Sequence, residues 1–124
     1  MKNKQRYTVS DYIIEFLNRK KVECIFTVSG GGSIFMCDAL YRSKLNYVCN
    51  HHEQASIFAA ESYARSKNDV GCAFVTTGPG GTNAITGIAG AWMDSVPTLT
   101  ISGQVFLDQT ITLFRSTNTQ LVPR

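Results

Sequence analysis

The chain has 124 residues, 44% of them hydrophobic and 17% charged, which suits one compact domain with its own core and excludes a disordered, charge-dominated segment. Its net charge of +3, from 12 basic and 9 acidic residues, is concentrated in Lys2, Lys4, Arg6 and the run Arg19-Lys20-Lys21, while residues 70 to 105 contain no Lys or Arg. No basic face for a nucleic acid is expected from that distribution.

Thr8, followed three positions later by Asp11, has the pattern of a capped helix start. Ile13, Ile14, Phe16 and Leu17 then share an apolar face ahead of the basic run. Val22 to Val28 reads as a short buried strand, broken by Gly30-Gly31-Gly32. Ile34, Phe35, Ala39 and Leu40 after it indicate a second helix. Leu45 to Cys49 forms the next strand and Glu53 to Ser66, rich in alanine, the next helix. Val70 to Thr76 is almost wholly apolar, as a strand covered on both faces should be. Gly78-Pro79-Gly80-Gly81 turns the chain into a helix from Thr82 to Met93, with Thr82 or Asn83 as its cap, and Pro97 to Ser102 supplies a fourth strand. Only the stretch from Gly103 onward has no assignment. Strands alternating with helices at this spacing predict an α/β domain of three layers, a mostly parallel sheet flanked by helices.

Cys24, Cys37, Cys49 and Cys72 stand far apart without a C-x-x-C pair, so buried thiols are expected rather than a zinc or redox site. The charged N-terminus is not followed by an apolar leader, and no apolar run approaches the roughly 18 residues of a membrane span. A cytoplasmic protein without membrane contact is expected. Leu121-Val122-Pro123-Arg124 match the remnant of a cut thrombin-site linker, so the domain is expected to occupy residues 1–120, with 121–124 a scar.

In an open parallel sheet, ligands bind beyond the carboxyl ends of the strands. Four places qualify: Gly30 to Ser33, Asn50 to Gln54, Thr76 to Asn83, and Gly103-Gln104. The triple glycine permits close backbone approach at a helix start, but Phe35 stands where a dinucleotide fingerprint wants a third glycine, and a tight turn explains it equally well. Gly78 to Asn83 lacks the Lys-Ser/Thr ending of a nucleotide-hydrolysing loop. Within Asn50-His51-His52-Glu53-Gln54, adjacent histidines diverge and make a poor metal pair. Glu53 reads either as a helix-start carboxylate serving the macrodipole or as a proton-exchanging group at an apolar strand end.

Taken in order, several segments resemble one family: Val28-Ser29-Gly30-Gly31-Gly32; His52-Glu53-Gln54-Ala55 with Ala59 to Arg65; Thr77 to Asn83; Ala91 to Pro97; and Ser102-Gly103-Gln104-Val105. This is the pyrimidine-binding domain of acetolactate synthase-like thiamine diphosphate enzymes. The resemblance covers residues 8 to 105 and implies the thiamine diphosphate-binding fold. It assigns Glu53 as catalytic, contacting N1′ of the cofactor's aminopyrimidine and so promoting removal of the thiazolium C2 proton for attack on a 2-oxo acid. It implies Gly31, Gly32, Glu53, Thr77, Gly78, Pro79, Asn83 and Gln104 as the cofactor-binding set.

The family also implies a cofactor site at a subunit interface, and Mg²⁺ held with the diphosphate by a separate domain through a Gly-Asp-Gly motif; the apolar helices after Glu53 and Thr82 are expected to pack against a second copy as a homodimer. None of Asp11, Asp38, Asp69, Asp94 and Asp108 follows a glycine. That half of the site is therefore expected from a partner subunit or from another domain, and this chain alone is expected to be inactive. Where acetolactate synthases place Phe-Gln-Glu, the chain has Phe114-Arg115-Ser116, with Gln120 as a later candidate glutamine. The complete enzyme is thus expected to be a transferase or lyase acting on 2-oxo acids, by carboligation or decarboxylation. The alternative is a non-catalytic binding or assembly module that keeps the fold.

Overall fold

The computed structural model describes residues 6–105; Phe114-Arg115-Ser116, Gln120 and residues 121–124 lie outside them. Helix α1 spans Val9–Arg19 and strand β1 Cys24–Thr27. A short 3₁₀ turn, Gly31–Ser33, leads into α2, Ile34–Arg42. The chain continues through β2 (Asn46–Cys49), α3 (Glu53–Lys67), β3 (Gly71–Val75), α4 (Pro79–Met93) and β4 (Thr98–Ser102).

The four strands form one sheet in the order β2-β1-β3-β4, parallel at every pairing. Strand β3 lies inside, with all five residues buried, and its alternating side chains supply two cores. Cys72 and Phe74 point to the layer of α1 and α2, where they meet Ile14, Leu17, Ile25, Met36 and Leu40. Ala73 and Val75 point the other way, to Ile57 and Ala60 of α3 and Ala84 of α4. The result is the expected three-layer α/β arrangement, with the sheet wholly parallel among the described strands.

Two local readings need correction. Helix α4 begins at Pro79, three residues before the expected Thr82, because proline needs no N–H partner at a first helical position. Gly78 precedes it at φ +63°, a conformation side chains disfavour, so neither Thr82 nor Asn83 is the cap. The cysteines also differ from expectation. Only Cys72 is buried; Cys24 and Cys37 are half-buried, and Cys49 is exposed because β2 is the outer edge of the sheet. Burial pushes the Cys72 thiol up to about 12.

The start of α1 follows its sequence pattern. Thr8 Oγ1 accepts from Asp11 N–H at 3.2 Å, and Asp11 Oδ2 accepts from Thr8 N–H at 2.8 Å. The other carboxyl oxygen takes the Arg42 guanidinium at 2.7 Å, tying the end of α2 to the start of α1. The Thr8 hydroxyl and backbone, then Arg42, lower the Asp11 carboxyl from its ordinary 3.8 to about 2. A depressed folded value contributes stability above the ordinary one and loses it as pH falls through the folded one. Asp11→Asn is therefore expected to flatten the fall in thermal midpoint between about pH 4 and pH 2. An acid limb identical to that of the unmodified chain would show that this carboxyl is not stabilised by folding.

Candidate functional site

The connection leaving β1 turns toward β2 and the one leaving β3 turns toward β4, so the sheet changes winding direction between two adjacent strands, where such sheets open a crevice. Thr76, the first residue past β3, is the hub of this crevice. Its Oγ1 accepts from Gly32 N–H at 3.1 Å, and its carbonyl accepts from Ser102 Oγ at 3.2 Å. The ends of β1, β3 and β4 therefore converge on one threonine. Gly32 also lies against Thr77, whose Cγ2 would be 2.6 Å from a Cβ placed there.

Glu53 arrives from the other side, as the first residue of α3. His52 provides the cap of that helix, its Nδ1 accepting from Gln54 N–H at 3.1 Å. The Glu53 side chain instead turns inward. It is only 9% exposed, and its Oε2 accepts from Asn83 Nδ2 of α4 at 3.0 Å. Gly80, also on α4, packs directly against it: a Cβ there would come within 3.3 Å of Glu53 Oε1 and 2.5 Å of Thr76 Cγ2. Glycine at this position allows α4, the carboxyl and the threonine hub to approach one another.

This geometry bears on the two readings of Glu53. A carboxylate that serves only the helix dipole gains nothing by leaving water, and burying a carboxyl costs free energy unless partners replace the lost hydration. Here one neutral amide faces one oxygen. Among the described residues, the ion pairs engage Asp11, Glu23, Asp38, Glu61 and Asp94, and none engages Glu53. The carboxyl is therefore buried against Gly80 with a neutral amide on one oxygen and no cation on either among the described residues.

The sequence-based candidates are distributed unevenly. Gly32 and Thr77 touch, and Glu53 and Asn83 are bonded; Thr76 and Gly80, absent from that set, join the two pairs. Gly78 and Pro79 form the exposed start of α4. Gly31 is exposed, with open space where a Cβ would stand. Gln104 is exposed beyond β4, its Oε1 accepting from Val105 N–H at 2.9 Å. No described contact carries it to Glu53. Among the described residues, no group of three His, Cys, Asp or Glu side chains could hold a metal. Nor is any described helix long and apolar enough to cross a membrane.

The family model described as "Thiamine pyrophosphate enzyme, N-terminal TPP binding domain" matches residues 7–119. The chain belongs to this family. Among curated relatives of this thiamine pyrophosphate enzyme domain, acetolactate synthase 3, chloroplastic, of Brassica napus is 45% identical over 97 residues, covering 77% of this chain and 15% of that protein. Acetolactate synthase, chloroplastic, of Arabidopsis thaliana is also 45% identical over 97 residues, with 77% and 14% covered. The acetolactate synthase large subunit of Haemophilus influenzae is 43% identical over 97 residues, with 77% and 17% covered. The matched stretch is therefore under one-fifth of each of these relatives.

The chemistry of the site fits the family's aminopyrimidine. A flat ring with a basic nitrogen needs a carboxyl within hydrogen-bond reach, backbone groups to border its edge and little bulk above it. Glu53 provides the carboxyl, with Oε1 left unbonded among the described residues, and Gly80 is the small residue beside it; the Gly32 N–H is already taken by Thr76 Oγ1.

Proposed function

We propose that residues 1–120 form the pyrimidine half of a thiamine diphosphate site, in a 2-oxo acid decarboxylase or carboligase of acetolactate synthase type. The single observation carrying this reading is the buried carboxyl of Glu53, bonded to Asn83 at 3.0 Å beside Gly80. This arrangement favours the catalytic reading over a non-catalytic module that keeps the fold.

The cofactor supplies the acidic C2–H and the electron sink for the chemistry on 2-oxo acids. In this reading the chain's own residues hold and move one proton. Glu53 exchanges it with N1′ of the aminopyrimidine, while Gly32, Thr77, Gly78 and Pro79 border the ring. Gly31 and Gln104 remain proposed contacts at the margin. Mg²⁺ and the diphosphate are assigned to a partner subunit or a further domain, because no aspartate of this chain follows a glycine as the family's metal motif requires. A transferase or lyase activity then belongs to the assembled protein.

Dimer formation is part of the proposal. Phe58 on α3 and Ile85, Trp92 and Met93 on α4 are exposed, an apolar surface that suits burial against a second copy. Four free thiols fit a reducing compartment such as the cytoplasm.

Calorimetry on the 124-residue chain with thiamine diphosphate and Mg²⁺ is expected to register weak binding or none, with no turnover of pyruvate, because the metal and diphosphate contacts lie elsewhere. Adding the diphosphate-binding partner should restore both. Tight Mg²⁺-dependent binding by the chain alone would overturn the half-site assignment.

A further inference from the structure

The two oxygens of Glu53 have different surroundings. Oε2 accepts from Asn83 Nδ2 at 3.0 Å, while Oε1 packs against Gly80 with no hydrogen-bond partner among the described residues. The elements packed on α3 add little charge: α4 and β4 contain no ionisable side chain, and β1 and β3 contribute only Cys24 and Cys72. Ahead of Glu53, His51 and His52 are exposed, and His52 Nδ1 is used by Gln54 N–H. The polar side chain in bonded contact with the carboxyl is thus a neutral amide, on a different helix and 30 positions along the chain.

Asn83 is not a helix cap. It lies within α4, which starts at Pro79, and its amide is free to reach across to α3. A glutamate side chain has three rotatable bonds, and a carboxyl at the mouth of a crevice would otherwise spread over several rotamers. One hydrogen bond to Oε2 removes most of that freedom without occupying Oε1. A lysine or arginine in the same place would supply the bond but would also bind the carboxyl as an ion pair. An amide positions it without doing so.

From this geometry we infer that Asn83 is a positioning residue: it pins Glu53 Oε2 and so presents Oε1 as the oxygen that exchanges the proton with the aminopyrimidine. Asn83 acts through Glu53 and need not touch the cofactor. This inference rests on the reading of Glu53 given above.

The test is a double-mutant cycle in the complete enzyme containing this chain, read by C2-proton exchange of bound thiamine diphosphate, together with a measurement that needs no cofactor. Asn83→Ala should slow exchange about tenfold, the rate equivalent of one lost hydrogen bond to the carboxyl, with cofactor affinity almost unchanged. Asn83→Ser, which keeps a donor, should recover part of that loss. In the Glu53→Gln background, Asn83→Ala should cost nothing further, because a residue acting only through Glu53 has nothing left to position. In the cofactor-free chain, Glu53→Ala should shift the side-chain amide signals of Asn83 in a ¹H–¹⁵N spectrum.

Multiplicative losses in the double variant, or Asn83 amide signals indifferent to Glu53, would overturn the inference while leaving the catalytic role of Glu53 intact. Should Glu53→Gln alone leave exchange at its normal rate, the reading of Glu53 fails, and this inference with it. If Asn83→Ala proves too unstable to assay, the amide signals in the Glu53→Ala chain decide the question.

Discussion

Glu53→Gln, made in the complete enzyme, is expected to slow C2-proton exchange of bound thiamine diphosphate by about 10² to 10⁴, the usual contribution of a positioned proton-transfer group. Fold and thermal midpoint should be almost unaffected. Glutamine has the same length, and its carbonyl oxygen can still accept from Asn83 Nδ2, which now bonds Glu53 Oε2 at 3.0 Å. Only proton exchange is removed. A carboxylate serving the macrodipole would give the opposite pair of results, costing about 0.3 to 1 kcal/mol of stability with turnover unchanged. Measuring the thermal midpoint and the exchange rate on the same variant separates the two. Normal exchange with a lowered midpoint would withdraw the catalytic assignment.

Gly71→Ala should be the most damaging single methyl in the fold. Gly71 opens β3 where α3 crosses it, and a Cβ there would overlap the carbonyl oxygen of Ala60 and lie 2.6 Å from its carbon. That oxygen belongs to the backbone of a helix in the second core, so no side-chain rotation relieves the clash. Either α3 moves away from the sheet or β3 gives up its register with β4. Overpacking typically costs about 1 to 3 kcal/mol and sometimes more; backbone against backbone falls at the upper end. A domain of this size should lose on the order of 10 °C in thermal midpoint. A variant melting with the unmodified chain would mean that α3 and β3 stand further apart than described.

The architecture was legible because each element carries its own period. Val70 to Thr76 reads as a strand buried on both faces, and β3 has no exposed residue. The capping pattern of Thr8 and Asp11 is local chemistry and appears as read. What escaped the sequence depends on neighbours far along the chain. Cys49 looks like any apolar strand residue until β2 proves to be the edge. Pro79 reads equally as a turn stiffener or a first helical residue, and only the latter places Asn83 inside α4.

The candidate site shows the same division. Glu53 was visible as a carboxyl at a strand end, and the family resemblance pointed to it. Its burial and its bond to Asn83 span 30 residues and have no local signature. Thr76 escaped because a polar residue closing an apolar strand looks like a boundary marker, although it gathers three loops. Gly80 escaped because a glycine among glycines in Gly78-Pro79-Gly80-Gly81 reads as part of a turn, whereas it is a buried residue of a helix.

The sheet order has a further bearing on how the site breathes. Local opening in a protein follows burial, so central strands exchange their amide protons last and edges first. Thr76 hangs from β3, the most protected strand, whereas Glu53 follows β2, whose four residues are all exposed. The crevice therefore joins a fixed wall to a wall on a looser mount. Fraying at the β2 edge would displace the carboxyl and leave the threonine hub where it is, and the packing of α3 on α4 is what holds the wall that carries Glu53 in register between such openings.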